Sequence, residues 1–159
     1  MTSHSKGYTI HFMGIFTRFF GKKTEPPRID HPLFGTIEFS KHDGWQNMDF
    51  PLWGRSNVEL IVDSGTDGPT RDQEEAFRRF EESREVLLPR CLDALEDLRG
   101  KMEMPPGTFV ISGLTVPSLG EEETGKLWTL WFDCEGDEDF WYGVQTDDDW
   151  QTLSPFADD

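Results

Sequence analysis

The chain has 159 residues and a formal net charge of −16, from 31 acidic and 15 basic side chains. This length fits one domain, and thirteen Phe and six Trp can build a sizeable core although only 35% of the residues are hydrophobic. The excess of acids argues against nucleic acid or an anionic membrane as the partner of the folded body, and it favours a basic protein.

The first 29 residues differ in composition from the rest of the chain. Residues 1–29 carry five bases against one acid, and Pro26 and Pro27 exclude a helix at their end. We therefore predict a basic, aromatic extension with a proline linker over this segment, and a single domain over residues 30–159. A helical spacing of apolar side chains predicts weak peripheral membrane contact through Ile15, Phe16, Phe19 and Phe20. Docking of these rings on the domain, or a frayed end, is the favoured interpretation, because short helices are marginal alone. Met13 is a candidate native start.

Three strands are predicted at the start of the domain. Residues 34–39 and 45–53 alternate between apolar and polar side chains, and residues 58–62 form a short apolar run. The turn residues between them predict an antiparallel meander.

One long helix is predicted over residues 70–100. Thr70 and Gln73 have the spacing of a capping box, and apolar side chains then recur near the helical period. Pro89 removes one backbone hydrogen bond, so we expect the helix to kink or split just before it. Gly100 suits the end of the helix.

Three or four further strands complete the predicted fold. They cover residues 108–111 with a continuation at 114–116, residues 127–132, residues 140–144 and a short last strand at 150–153. An acidic loop joins two of them over residues 133–139. The predicted fold is therefore a two-layer α+β domain. A mainly antiparallel sheet of about six strands, three before and three after the helix in the chain, packs on one long Pro-kinked helix.

The sequence carries no recognisable catalytic or cofactor-binding motif. All four histidines precede residue 43, and no phosphate-binding glycine loop or zinc-ligand spacing is present. Cys91 falls on the apolar side of the helix and Cys134 lies among acids, so neither environment favours a reactive thiolate. We predict no cofactor, no enzyme activity and two reduced core thiols, which is typical of a cytoplasmic protein.

Loop carboxylates offer a second class of function. Asp63, Asp67 and Glu74 match three acidic positions of a twelve-residue calcium loop, although Gly65 stands where a ligand is needed. A turn that leads into a capped helix explains the same residues. An acid/base hydrolase that uses Glu59, Asp63 or the 133–139 acids is a related alternative.

The C-terminal region combines acids with tryptophans. Residues 119–159 hold thirteen acids, one base and four of the six tryptophans. This pattern predicts a folded anionic surface that holds a cationic partner, because tryptophan is enriched at binding hot spots and acids steer basic proteins. The predicted partner-binding residues are Trp128, Trp131, Asp133, Asp137, Glu138, Trp141, Asp147 and Asp148. The alternative is that the rings fill the core and the acids only solvate the surface.

Several of these features together resemble a known group of proteins. The resemblance rests on Phe34, Gly35, Ile37, Trp45, the 58–62 strand, Gln73, Phe77, Phe80, Trp128, Phe132, Asp133, Asp137 and Glu138. Spaced in this way, they are similar to small acidic bacterial domains of unknown function, some of which are similar to immunity proteins of polymorphic toxin systems. The resemblance implies a non-enzymatic inhibitor that masks a toxin-like basic protein. It implies no catalytic residues, and it leaves the oligomeric state open.

Overall fold

A computed structural model describes residues 24–120 and 127–158. The strands are β1 (Arg28–His31), β2 (Gly35–Ser40), β3 (Gly44–Leu52), β4 (Arg55–Val62), β5 (Thr108–Val116), β6 (Trp128–Glu135), β7 (Asp137–Thr146) and β8 (Leu153–Asp158). The helices are α1 (Arg71–Glu82) and α2 (Arg84–Lys101). The predicted membrane-contact residues Ile15, Phe16, Phe19 and Phe20 lie outside the described residues.

The eight strands form one sheet whose spatial order follows the order of the chain. Neighbouring strands are antiparallel except β4 and β5, which run parallel and flank both helices in sequence. A parallel pair needs a long crossover connection, and α1 and α2 supply it. In the described part of the chain no helix is long and apolar enough to cross a membrane.

The predicted fold class is wrong. The sheet is mixed and has eight strands rather than about six, and helix makes up only 23% of the described structure, so the domain is mostly sheet. One missed strand is β1, where Pro26 and Pro27 indicated a linker. It forms because Ile29 pairs with Ile37 of β2 and packs against the core. The other addition is β8, which begins at Leu153, where the predicted last strand ended.

The predicted single helix is also wrong. The helix is interrupted at Ser83, and Pro89 lies inside α2. Ser83 ends α1 by donating its hydroxyl to the carbonyl of Phe80, at 2.7 Å. The break at Ser83 therefore falls about one and a half turns earlier than the predicted kink at Pro89.

The core lies between the helices and one face of the sheet. Phe77 and Phe80 of α1 are fully buried, and Phe80 stacks on Trp128 of β6 with ring centres 5.2 Å apart. From the strands, alternate residues such as Leu60 and Leu130 join the same cluster. The intervening residues point to the opposite face of the sheet, which we call the helix-free face.

Candidate functional site

A groove of about 440 Å³ crosses the helix-free face from β3 to β7. The side chains that define it are Met48, Glu59, Ile61, Trp131, Asp133 and Trp141. They come from strands β3, β4, β6 and β7, so pairing between distant parts of the chain assembles the groove. Its volume lies within the range of small-ligand sites, but it is open along the sheet in the manner of a docking surface.

A row of paired residues crosses five strands on the helix-free face, and three of its members, Glu59, Gly113 and Trp131, line the groove. Glu59 pairs with Gly113, Gly113 with Trp131, Trp131 with Gly143, and Gly143 with Phe156. A Cβ on Gly113 would lie 3.2 Å from Cδ1 of Trp131, and one on Gly143 would collide with the ring of Phe156. The two glycines therefore provide the space that the two rings fill.

This packing fixes the position of the Trp131 indole. Its ring contacts Phe156 edge to face, with centres 5.3 Å apart, and its N–H donates to the hydroxyl of Thr115 at 3.4 Å. Because the ring leans over Gly113, it lies on the side of the row that Glu59 occupies. The result is an ordered aromatic surface beside a carboxylate.

Trp141 forms a ridge at the end of the groove. Its side chain is 70% exposed, the largest exposure among the large hydrophobic residues of the described chain. A second depression of about 340 Å³ lies on its other side and shares Trp141 and Asp133 with the groove. Glu135 and Glu138 also line this second depression. An exposed indole beside a groove is a candidate binding residue, because tryptophan is enriched at interaction hot spots.

The groove is negatively charged. Its described lining contains Glu59 and Asp133 and no lysine or arginine, and both carboxylates are exposed. Within residues 24–120 and 127–158 neither of them forms an ion pair. The surface therefore presents uncompensated negative charge next to two indoles.

The eight predicted partner-binding residues do not form one surface. Trp131, Asp133 and Trp141 share the groove, and Glu138 lies in the neighbouring depression. Trp128 is fully buried and donates its indole N–H to Asp148 at 2.8 Å, so this pair holds the chain after β7 against the core.

Asp137 and Asp147 have structural partners. Asp137 is buried and accepts a hydrogen bond from the hydroxyl of Tyr142 at 2.7 Å. Burial raises the pKa of Tyr142, and the bond to Asp137 raises it further. Burial alone would raise the pKa of Asp147, but hydrogen bonds with Asp149 and the backbone N–H groups of Gln151 and Thr152 outweigh it and lower that pKa. Asp147 thus organises the turn before β8.

The carboxylates proposed for a metal do not converge. Glu74 contacts His31 at 3.2 Å and Arg78 at 3.8 Å, and Asp67 is exposed in the loop before α1. Asp63 continues β4, where its N–H donates to the carbonyl of Val116. Among the residues that the structure describes, no three His, Cys, Asp or Glu side chains lie close enough together to hold a metal ion.

Both thiols lie in the interior. Burial raises the pKa of Cys91 from 9.0 to about 12, and burial and the nearby charge of Asp137 raise that of Cys134. Both raised pKa values lower the thiolate fraction near neutral pH below that of an ordinary cysteine, so neither thiol is suited to nucleophilic chemistry.

We expect both thiols to be unreactive towards a disulfide reagent such as DTNB in the native protein at pH 8, and to react after unfolding in guanidinium chloride. Because the folded pKa of Cys91 exceeds its unfolded value, its contribution to stability is complete below pH 9 and is lost as the pH rises towards 12. The variant Cys91→Ala should therefore lose less stability than the parent over this range. Rapid labelling of either thiol in the native chain would contradict the assignment.

Several residues of the groove were not predicted from the sequence. The alternation of Val58, Leu60 and Val62 towards the core implies that Glu59 and Ile61 face the other way, so that signal was present. No sequence signal indicated Met48, because β3 changes register between Asn47 and Phe50.

Comparison with known proteins identified no relative: no family model, no curated protein and no solved structure matches the chain.

Proposed function

We propose that the chain is a non-enzymatic protein-binding domain whose helix-free face masks a basic partner, in the manner of an immunity protein bound to a toxin. The observation that carries this proposal is the exposed indole of Trp141 beside the ordered indole of Trp131, with Glu59 and Asp133 next to them and no base in the lining. Exposed tryptophans that rest on a rigid sheet are typical of interaction hot spots.

Electrostatics support a basic partner. The net charge of −16 attracts a cationic protein over long range, and the unpaired carboxylates of the groove supply the local complement. Association with such a partner should be fast at low salt and slower as ionic strength rises, because the Debye length falls to about 8 Å at 0.15 M. The proposed location is the cytoplasm, where two reduced thiols are expected.

Trp141→Ala should weaken partner binding about tenfold or more, because the substitution removes the exposed anchor and leaves the core intact. Ligands are obtained by selecting a random peptide library displayed on phage against the immobilised full-length chain. The selected peptides should be rich in Lys or Arg and should bind less well in high salt. Val86→Ala, which truncates a 65% exposed side chain on α2, is the matched control and should bind like the parent.

Two outcomes of this selection would contradict the proposal. One is enrichment of neutral or acidic peptides only. The other is binding that Trp141→Ala and Val86→Ala affect equally, because the ligand would then be held elsewhere.

The alternative functions have less support. A hydrolase would need a positioned acid and base, whereas Glu59 and Asp133 are exposed and no described residue donates a hydrogen bond to hold either one. A divalent-metal protein would need converging ligands, which the described residues do not provide. A peripheral membrane adaptor would depend on residues 15–20, and liposome flotation of the full chain tests that alternative directly.

A further inference from the structure

The shape of the groove indicates which basic side chain it accepts. This inference rests on the proposed function and concerns the chemistry of the partner at the same site. Lysine and arginine carry the same charge but differ in shape, because arginine ends in a planar guanidinium with five N–H donors and lysine in a compact ammonium.

The carboxylates of the groove are separated in a way that favours the larger group. Glu59 lies on β4 and Asp133 on β6, with β5 between them. Glu59 is level with Trp131, so two strand spacings across the sheet and two residues along β6 place the backbones of Glu59 and Asp133 roughly 12 Å apart. A guanidinium has donors on opposite edges and can reach carboxylates on both sides, whereas one ammonium contacts only one of them.

The aromatic surface favours the same group. The indole of Trp131 is held over Gly113 between the strands that carry Glu59 and Asp133, and Trp141 rises at the end of the groove. A guanidinium stacks on an indole face through both cation–π attraction and planar contact, and its edges remain free for hydrogen bonds. Since Gly113 has no side chain, the ring of Trp131 lies directly against β5, next to the strand position of Glu59.

We propose that the groove is a receptor for an arginine side chain of the partner protein, which stacks on Trp131 and Trp141 and bridges the carboxylates of Glu59 and Asp133. Lysine at the same position of the partner loses the bridge and the planar contact. Charge complementarity and ring geometry together assign the groove to a basic polypeptide segment rather than to an apolar one.

The test uses the ¹⁵N-labelled full-length chain and two synthetic peptides, acetyl-Gly-Arg-Gly-Arg-Gly-amide and the same peptide with lysine for arginine. The indole N–H signals of the six tryptophans are followed in NMR titrations. Those of Trp131 and Trp141 should shift with the arginine peptide. Those of Trp45 and Trp128 should not, because their N–H groups are bonded in the interior to Gly65 and Asp148. The lysine peptide should bind about fivefold more weakly.

Matched variants locate the carboxylates that matter. Glu59→Gln and Asp133→Asn should each weaken the arginine peptide about fivefold. Glu82→Gln and Asp93→Asn change the same charges on exposed helical positions and should leave binding within about twofold. Because the protein's net charge changes equally in both pairs, a selective loss reports contact rather than long-range attraction.

The results that would overturn this inference differ from those that would overturn the proposed function. Equal affinity for the two peptides, or shifts confined to other tryptophans, would reject the arginine receptor and leave a basic partner in place. A second outcome would also reject the arginine receptor. If replacing Arg18, Lys22 and Lys23 by serine makes the peptide bind more tightly, the chain's own N-terminal segment competes for the groove and is its occupant. Failure of the proposed function appears separately, as the absence of basic ligands in the display selection.

Discussion

Phe80→Ala should lower the free energy of unfolding by about 4–5 kcal/mol, at the upper end of the range for a buried phenylalanine. Phe80 has no exposed surface and lies between two stacked indoles, with ring centres 4.7 Å away at Trp53 and 5.2 Å at Trp128. Trp150 contacts it edge to face at 5.6 Å. Without this ring, all three indoles lose their contact with Phe80. The rigid aromatic neighbours cannot collapse into the space that it leaves.

Urea denaturation of the variant and the parent measures this loss. Val86→Ala, close by in the chain but 65% exposed, should change stability by no more than about 0.5 kcal/mol. If Phe80→Ala does not fold, Phe80→Leu retains part of the volume and should cost about 1–2 kcal/mol. A loss below about 2 kcal/mol for the alanine variant would show that the stack of rings is not a main source of stability.

Gln73→Leu should destabilise the fold by about 3 kcal/mol or more, a large effect for the loss of one polar side chain. Gln73 is fully buried, and its amide nitrogen donates to the carbonyls of Asp63 and Pro117, at 2.9 Å each. These carbonyls follow directly after β4 and β5, the one parallel pair among the described strands. The oxygen of the side chain accepts the backbone N–H of Thr70 at 3.0 Å, which completes the capping box of α1. Leucine leaves these groups unsatisfied, at about 1–3 kcal/mol each.

Three measurements separate this role from a general loss of packing. Chemical denaturation should show little change for Gln145→Leu, a control on the exposed side of β7. Amide hydrogen exchange should become faster at Asp63, whose N–H is bonded to Val116. Gln73→Glu should be less stable at neutral pH and should recover as the pH falls, because only a protonated carboxyl donates to a carbonyl. Wild-type stability for the leucine variant would refute the role of the amide.

Local features of the fold were predictable from neighbouring residues. The capping box of Thr70 and Gln73 is confirmed, because it depends on two residues three positions apart. The strand predicted over residues 58–62 lies within β4. It was predictable for a similar reason, because the alternation of its side chains is local. The prediction of a loop over residues 133–139 was wrong. Strand β6 continues to Glu135, and the turn is at Gly136, which has a φ of 95°. Acidic composition indicated a loop there, but pairing between two long strands outweighed it.

The candidate site was only partly predictable. Exposed acids and tryptophans pointed to the C-terminal hairpin, and Trp131, Asp133 and Trp141 do lie together on one face. The sequence did not distinguish Trp131 from Trp128, although one lines the groove and the other is buried with its N–H bonded to Asp148. Which face of the sheet the helices cover depends on the crossover between β4 and β5, and that pairing joins residues more than fifty positions apart.

The sequence by itself determined the acidic character of the chain, the capped start of α1 and the alternation along single strands, because each depends on composition or on residues a few positions apart. Only the tertiary structure decided the row from Glu59 through Gly113, Trp131 and Gly143 to Phe156. The physical reason is register. A shift of one residue in any strand would turn its side chains to the other face, and long-range packing and bulges set that register across the sheet.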